Sequence, residues 1–86
     1  MDKQQLEYFI LTADTCNISK AANRLWISQS ALSQTIKRLE KELGCLLFTR
    51  TGKKIFMNEN GKIFYNYVCQ FNMCYDNAWH EILETN

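Results

Sequence analysis

The 86 residues are enough for one small domain, and a 47% hydrophobic fraction excludes a disordered chain. The absence of proline and the presence of only three glycines favour helices over a sheet of many strands. The net charge of +1 excludes a uniformly basic chain, and without a run of 18 apolar residues no membrane span is predicted.

The charge is unevenly distributed along the sequence. Residues 17–54 carry a net charge of +6, whereas residues 1–16 carry −2 and residues 58–86 carry −3. A basic centre between acidic ends is typical of a local nucleic-acid footprint, although ordinary solvated lysines would give the same count. The first five residues contain no apolar signal core, so the cytoplasm is the expected location.

Two helices are predicted in the first third of the chain. The first runs from about Lys3 to Thr15, where apolar residues recur at spacings of three and four. Asn17 suits the end of this helix, because asparagine tolerates the left-handed conformation. Ser19 is the predicted cap of a short second helix over about residues 20–25, whose outer side would carry Lys20 and Arg24.

A third helix is predicted over residues 29–43, with Ser28 as its cap and Gly44 as its stop. One side is a narrow apolar stripe, and the other side is polar or basic, consisting of Ser30, Gln34, Lys37 and Lys41. Only residues 26–28 link this helix to the second helix. A link of three residues forces a sharp crossing, which predicts a helix-turn-helix.

Residues 45–50 and 54–58 are rich in strand formers and flank a turn at Thr51 and Gly52. They predict a two-stranded wing. Its tip, residues 50–54, is crowded with positive charge from Arg50, Lys53 and Lys54.

The last segment predicts a long helix from Glu59 to about Glu84, capped by Asn58. Its apolar residues repeat with a period of 3.5, which is the pattern of a helix that pairs with another helix. The rest of so small a domain cannot cover this helix, so a second copy is the expected partner. The expected dimer interface consists of Phe64, Tyr67, Val68, Phe71, Tyr75, Ala78, Trp79 and Ile82.

The polar side of the third helix has the chemistry needed to bind DNA. An α-helix fits the major groove, where Gln29 and Gln34 can pair with adenine. Ser30 and Ser33 can bond bases or phosphates, and Lys37 suits phosphates. The helix starts near Ser19 and Ser28 also suit phosphates. The wing tip can lie at the minor groove.

Other kinds of site have weaker support. Cys16, Cys45, Cys69 and Cys74 form no Cys-x-x-Cys pair and are expected to be reduced thiols used as small apolar residues, with a redox switch left open. A zinc site from Cys69, Cys74 and His80 is disfavoured, because Cys74 would point away from the others. No catalytic cluster appears, so we expect no enzyme activity and no metal or cofactor. The alternative is a protein-interaction module whose long helix binds a different partner.

Three stretches of the sequence follow a known family pattern: LEYFILTAD (6–14), NISKAANRLWISQSALSQTIKRLEKELGCLLFTR (17–50) and MNENG (57–61). On these stretches the sequence resembles the N-terminal DNA-binding domain of LysR-type transcriptional regulators. The resemblance implies a bacterial regulator that binds double-stranded, pseudo-palindromic DNA as a homodimer. It also implies a mainly α fold, with a winged helix-turn-helix in residues 1–57 and a linker helix for dimerisation in residues 58–86. Family members usually continue into an effector-binding domain, which we expect to be absent from this chain, and the full-length protein could form a tetramer.

Several DNA contacts are implied by the family pattern. On the recognition helix they fall on Ser28, Gln29, Ser30, Ser33, Gln34 and Lys37, and on the wing they fall on Arg50, Thr51 and Lys53. The chain departs from the family where Ser30 replaces a usual proline and Gln34 replaces a frequent arginine. Glutamine shifts the favoured base from guanine toward adenine.

Overall fold

The computed structural model describes residues 1–85, and its element order confirms the mainly α winged helix-turn-helix followed by a long helix. The elements are α1 (Lys3–Thr15), α2 (Ile18–Leu25), α3 (Gln29–Leu43), β1 (Phe48–Thr51), β2 (Lys54–Met57) and α4 (Glu59–Thr85). The two strands pair antiparallel, with Phe48 opposite Met57 and Thr51 opposite Lys54. The described part of the molecule is elongated, with dimensions of 49 × 27 × 19 Å.

The junction between α1 and α2 differs from the prediction. Cys16, in a left-handed conformation at φ 55°, ends α1, and Asn17 caps α2 by accepting a hydrogen bond from the Lys20 N–H at 3.0 Å. The prediction that Ser19 caps α2 is therefore wrong, because Ser19 lies inside the helix. Capping by Asn17 starts the helix two residues earlier, which places Ile18 against the hydrophobic core.

The bounds of α3 are as predicted. The Ser28 Oγ accepts a hydrogen bond from the Ala31 N–H at 3.0 Å, and Gly44 ends the helix at φ 75°. Trp26 turns the chain between α2 and α3 in a left-handed conformation at φ 60°. The caps at Trp26, which ends α2, and at Ser28, which begins α3, fix the angle at which the chain enters α3.

The core lies where α1, α2, α3 and the base of the wing meet. Its largest fully buried apolar side chains are Phe9, Leu32, Ile36, Leu39, Leu47 and Ile55. The inward stripe of α3 predicted from the sequence thus packs almost entirely away from water. Burying this apolar surface is the main term that stabilises the unit.

Only the first half of α4 packs closely on this core. The Asn58 amide nitrogen donates to the Leu46 carbonyl at 2.9 Å, and its Oδ1 accepts from the Gly61 N–H at 2.8 Å. Gly61 lies so close to Leu47 that an added Cβ would be 2.1 Å from the Leu47 carbonyl oxygen. Of the 27 residues of α4, Gly61 and Val68 are the buried ones. No helix within residues 1–85 is both long enough and apolar enough to cross a membrane.

Candidate nucleic-acid interface

The outer face of α3 presents short polar side chains to solvent. Gln29, Ser30, Gln34 and Lys37 are exposed, and Ser33 is half-buried. The backbone N–H groups of the first turn have no partner within the helix, except where the cap supplies one. An approaching acceptor would therefore meet both side-chain and backbone donors at this end of α3.

A concavity of about 550 Å³ joins this end of α3 to α2 and the wing. It is lined by Ile18, Ser19, Gln29, Ser30, Ser33, Arg50, Gly52, Lys53, Lys54 and Ile55. We call it the basic concavity, because its charged lining consists of one arginine and two lysines, with no carboxylate among the described residues that line it. The fold thus brings together predicted site residues that lie up to 35 positions apart in sequence.

The wing is held in place by the junction of α1 and α2. The Ile55 N–H donates to the Cys16 carbonyl at 3.2 Å, and Asn17 forms a bridge with Lys54. A two-residue turn places Gly52 at φ 60°, a left-handed conformation that glycine adopts at little cost. The positive wing tip is therefore anchored beside the start of α2.

Arg50 lies between two concave surfaces. Besides the basic concavity, it lines a second, largely apolar hollow of about 760 Å³, together with Lys37, Lys41 and Leu46. Glu40 also lines this hollow, but its Oε2 accepts a hydrogen bond from the Leu47 N–H at 2.6 Å. The positive charge of the wing at Arg50 is thus followed, along α3, by that of Lys37 and Lys41.

Six predicted contact residues lie outside the basic concavity, and one of them, Lys37, lines the apolar hollow. The other five, Lys20, Arg24, Ser28, Gln34 and Thr51, are all exposed on the surrounding surface. They would extend a contact area beyond the concavity rather than form part of its lining.

Sequence reasoning missed Asn17 as the cap of α2, although Asn17 is as good a capping residue as Ser19.

The exposed side of α4 differs from the predicted dimer interface. Val68 is only 4% exposed, and the Phe64 ring packs 5.1 Å from the Phe9 ring within the same subunit. Val68 is thus buried within the subunit, which corrects its placement in the dimer interface. Phe64 is half-buried and also lines the groove beside Tyr67 and Phe71, so its placement stays a prediction. Sequence reasoning also missed Ile63, which is 59% exposed. Its spacing of four from Tyr67 was the available signal.

An apolar stripe remains uncovered along α4. It consists of Ile63, Tyr67, Phe71, Cys74 and Ala78, at spacings of four, four, three and four. Tyr67 is 66% exposed and Phe71 is 49% exposed. The other predicted interface residues, Tyr75, Trp79 and Ile82, are exposed beside the stripe. A groove of about 390 Å³ between the start of α1 and α4 runs along its edge.

The cysteines are all free thiols. Cys16, Cys45 and Cys69 are half-buried, whereas Cys74 is exposed and lies in the apolar stripe of α4. Among residues 1–85, no group of three or more histidine, cysteine, aspartate or glutamate side chains could hold a metal ion.

Comparison with known proteins gives a consistent result. Residues 4–62 match the model of the family described as "Bacterial regulatory helix-turn-helix protein, lysR family". The uncharacterised HTH-type transcriptional regulator YybE of Bacillus subtilis is 48% identical over 64 residues, covering 74% of this chain and 22% of the relative. The chain therefore spans less than a quarter of that relative's length.

Several solved structures match nearly the whole chain, and two of them are DNA complexes of DNA-binding domains. The BenM DBD in complex with benA site 1 DNA has a TM-score of 0.94 at 29% identity and covers 100% of both chains. The CbnR DBD in complex with DNA has a TM-score of 0.93 at 27% identity and covers 99% of this chain and 98% of the other.

Proposed function

The chain belongs to the lysR family of bacterial regulatory helix-turn-helix proteins, and we propose from this that it binds double-stranded DNA sequence-specifically as a transcriptional regulator. The observation that carries the proposal is the basic concavity. One surface collects polar and positive side chains from α2, α3 and the wing, with no carboxylate among its described lining residues. Such a surface matches a polyanion better than it matches a protein partner of mixed charge.

In this proposal α3 is the recognition helix and lies in the major groove. The short side chain of Ser30 lets the backbone approach the base edges, and Gln34 reaches them from the exposed side of the helix. Gln29 and Ser33 lie next to Ser30 and Gln34 on α3, and both line the basic concavity. Lys37, further along α3, would neutralise a phosphate.

Contacts outside the major groove would position the protein on the DNA rather than read the base sequence. Lys53 and Lys54 at the wing tip, with Arg50 behind them, would lie along the backbone or enter the minor groove. The N–H groups at the start of α2, near Ser19, and the side chains of Lys20 and Arg24 would bind phosphates on the other side.

We propose that the functional unit is a homodimer formed through α4. Residues 1–57 form the DNA-binding unit and residues 58–86 form the linker segment, although Phe64 and Val68 of this segment pack on the DNA-binding unit. Because two-fold symmetry places one α3 on each half-site, the operator would be pseudo-palindromic. A tetramer in a longer protein and a location in the bacterial cytoplasm, where the chromosome lies, complete the proposal.

The alternative of a protein-interaction module is not favoured. It assigns the apolar stripe to a different protein and leaves the basic concavity without a role. Because the family model matches residues 4–62, it covers the basic concavity and only the first residues of α4.

Salt dependence of binding to duplex DNA tests the proposal directly. Fluorescence anisotropy would follow a labelled random-sequence duplex mixed with the 86-residue chain between about 50 and 200 mM salt. If the dimer neutralises six or more phosphates, we expect affinity to fall by about a thousandfold or more over this range. Absent binding at low salt would refute DNA binding, and binding that does not depend on salt would refute the phosphate contacts assigned to the basic concavity. Selection from a random duplex pool would then define the half-site.

A further inference from the structure

The orientation of α4 relative to the DNA-binding unit is set by contacts along α1. At the carboxyl end of α1, the Tyr65 hydroxyl donates a hydrogen bond to the Asp14 Oδ1 at 2.6 Å. In the middle, the Phe9 ring lies 6.4 Å from the Tyr65 ring. At the amino end, the Lys3 Nζ is 3.7 Å from the Asp76 Oδ1. These contacts hold α4 at both ends of α1.

Asp14 is poorly placed for the stability of α1 itself. It lies in the last turn of the helix, where the helix dipole disfavours a negative charge, and this turn contains no basic residue. Its hydrogen bond to Tyr65 spans 51 positions in sequence. The placement of this carboxylate is therefore explained by its contact with α4 rather than by α1.

The hydroxyl of Tyr65 adds something that its ring does not provide. The ring already packs against Phe9, and a phenylalanine would retain that packing. Apolar contacts tolerate several helix crossing angles, whereas a short hydrogen bond to a carboxylate selects one direction. The hydrogen bond to Asp14 and burial raise the pKa of Tyr65, so the hydroxyl keeps its proton and donates at neutral pH.

A small change of angle at Tyr65 would become large at the far end of α4. Twenty residues separate Tyr65 from Thr85, which is about 30 Å of helix at 1.5 Å per residue. A tilt of about 5° over that length moves the end of the helix by about 3 Å. This displacement is similar to the rise of about 3.4 Å per base pair in duplex DNA.

We propose that Asp14 and Tyr65 are positioning residues that fix the separation of the two recognition helices, and hence the number of base pairs between half-sites that the dimer accepts. The inference rests on the proposed function, since it needs a dimer that places two copies of α3 on DNA. Neither residue touches the DNA in this scheme. Both act through the angle between α4 and the DNA-binding unit.

The test compares duplexes in which two selected half-sites are separated by different numbers of base pairs. Affinities would be measured for the wild-type chain, Tyr65→Phe, Asp14→Ala and Asp14→Asn, together with the affinity for one isolated half-site. We expect Tyr65→Phe and Asp14→Ala to reduce the preference for the best spacing over its one-base-pair neighbours by about threefold or more, as the loss of one such hydrogen bond predicts. Affinity for a single half-site should be unchanged. Asp14→Asn, which keeps an acceptor oxygen, should retain most of the preference.

Two outcomes would overturn the inference. One is an unchanged spacing preference in both Tyr65→Phe and Asp14→Ala, and the other is an equal loss of affinity at every spacing and at the single half-site. Either outcome leaves DNA binding by the wild-type chain intact. A wild-type chain that binds no duplex at low salt would instead refute the proposed function and this inference with it.

Discussion

The outer faces of α3 and α4 are both exposed, but their chemistry is opposite. The outer face of α3 carries Ser30, Gln34 and Lys37, and no large apolar side chain interrupts it. The outer face of α4 carries an apolar stripe with Tyr67 and Phe71 at its centre. Both helices are attached to one core, so the difference does not arise from the core.

This difference shows what each face needs from its surroundings. The face of α3 is stable in water because its groups can all be hydrated, and it needs no partner in order to fold. The stripe of α4 leaves large apolar groups in water, which is unfavourable unless another apolar surface covers them. This contrast supports the proposal that α3 contacts a polar, charged ligand and that α4 contacts a second copy of the chain. The following predictions test this contrast, beginning with the largest expected effect.

A charge in the apolar stripe should break the dimer. Phe71→Glu places a carboxylate on the proposed α4 contact, where an unpaired buried charge costs about 3–5 kcal/mol. At about 1.4 kcal/mol per tenfold, the dimer dissociation constant should rise at least a hundredfold. Sedimentation equilibrium would show monomers at concentrations where the wild-type chain is dimeric.

Met73→Glu is the matched control for this charge. Met73 is 66% exposed and lies about 160° around the helix from Phe71 at 3.6 residues per turn. The control should remain dimeric. Dimers of Phe71→Glu that persist, or monomers of Met73→Glu, would place the contact on a different face of α4.

A change on the polar face should alter sequence preference and leave the oligomer unchanged. Gln34→Arg is expected to move the preferred base from adenine to guanine, with about 1–3 kcal/mol of discrimination at that position. Selection from a random duplex pool would measure it. Gln70→Arg, the same change at an exposed position of α4, is the control and should select the wild-type site. An unaltered base preference in Gln34→Arg would mean that this residue does not read the sequence.

Removing one charge from the wing should affect the salt dependence of binding more than its sequence preference. Lys53→Ala removes one proposed phosphate contact per subunit. The slope of log affinity against log salt should decrease by about 0.9 for each phosphate that the variant no longer neutralises. Lys62→Ala removes an equal charge from the exposed surface of α4, where Lys62 is 3.5 Å from Glu59, and its slope should equal that of the wild type. Equal slopes for both variants would exclude the wing tip from the interface.

The smallest expected effect concerns the contact that joins the two regions. The pKa of Tyr65 is raised in the folded chain by its hydrogen bond to Asp14 and by burial, whereas an unfolded tyrosine titrates at about pH 10. The stability contributed by this group is therefore fully present below about pH 10 and is lost as the pH rises above it. Urea denaturation between about pH 8 and 11, at one protein concentration, would compare the wild-type chain with Tyr65→Phe. The difference in free energy of unfolding should shrink above about pH 10, and a constant difference would contradict the raised pKa.

Most of the fold could be predicted from local patterns. The periodicity of α3 and its caps at Ser28 and Gly44 gave correct bounds, because both caps are short-range interactions within the chain. The junction before α2 could not be settled, since Asn17 and Ser19 are equally good caps by type. Packing decided between them, because the earlier start places Ile18 against the core.

The candidate site was predicted less completely. The residue types in α3 and the wing indicated DNA, and the resemblance to a known family indicated particular positions. Their assembly into one concavity depends on the bridge between Asn17 and Lys54, which no local pattern contains. On α4, the 3.5-residue period assigned Val68 to a partner, although it is buried within the same subunit.

The sequence by itself determined the helices, the wing, the concentration of positive charge in residues 17–54 and the presence of an apolar helix too long for the domain. Periodicity, capping and turn formation are local, so they can be read from neighbouring residues. Only the tertiary structure decided which side of α4 is covered and which side is exposed. It also brought Asp14 within hydrogen-bonding distance of Tyr65. Such choices depend on the relative positions of α1 and α4, and those positions are set by packing between residues far apart in the chain.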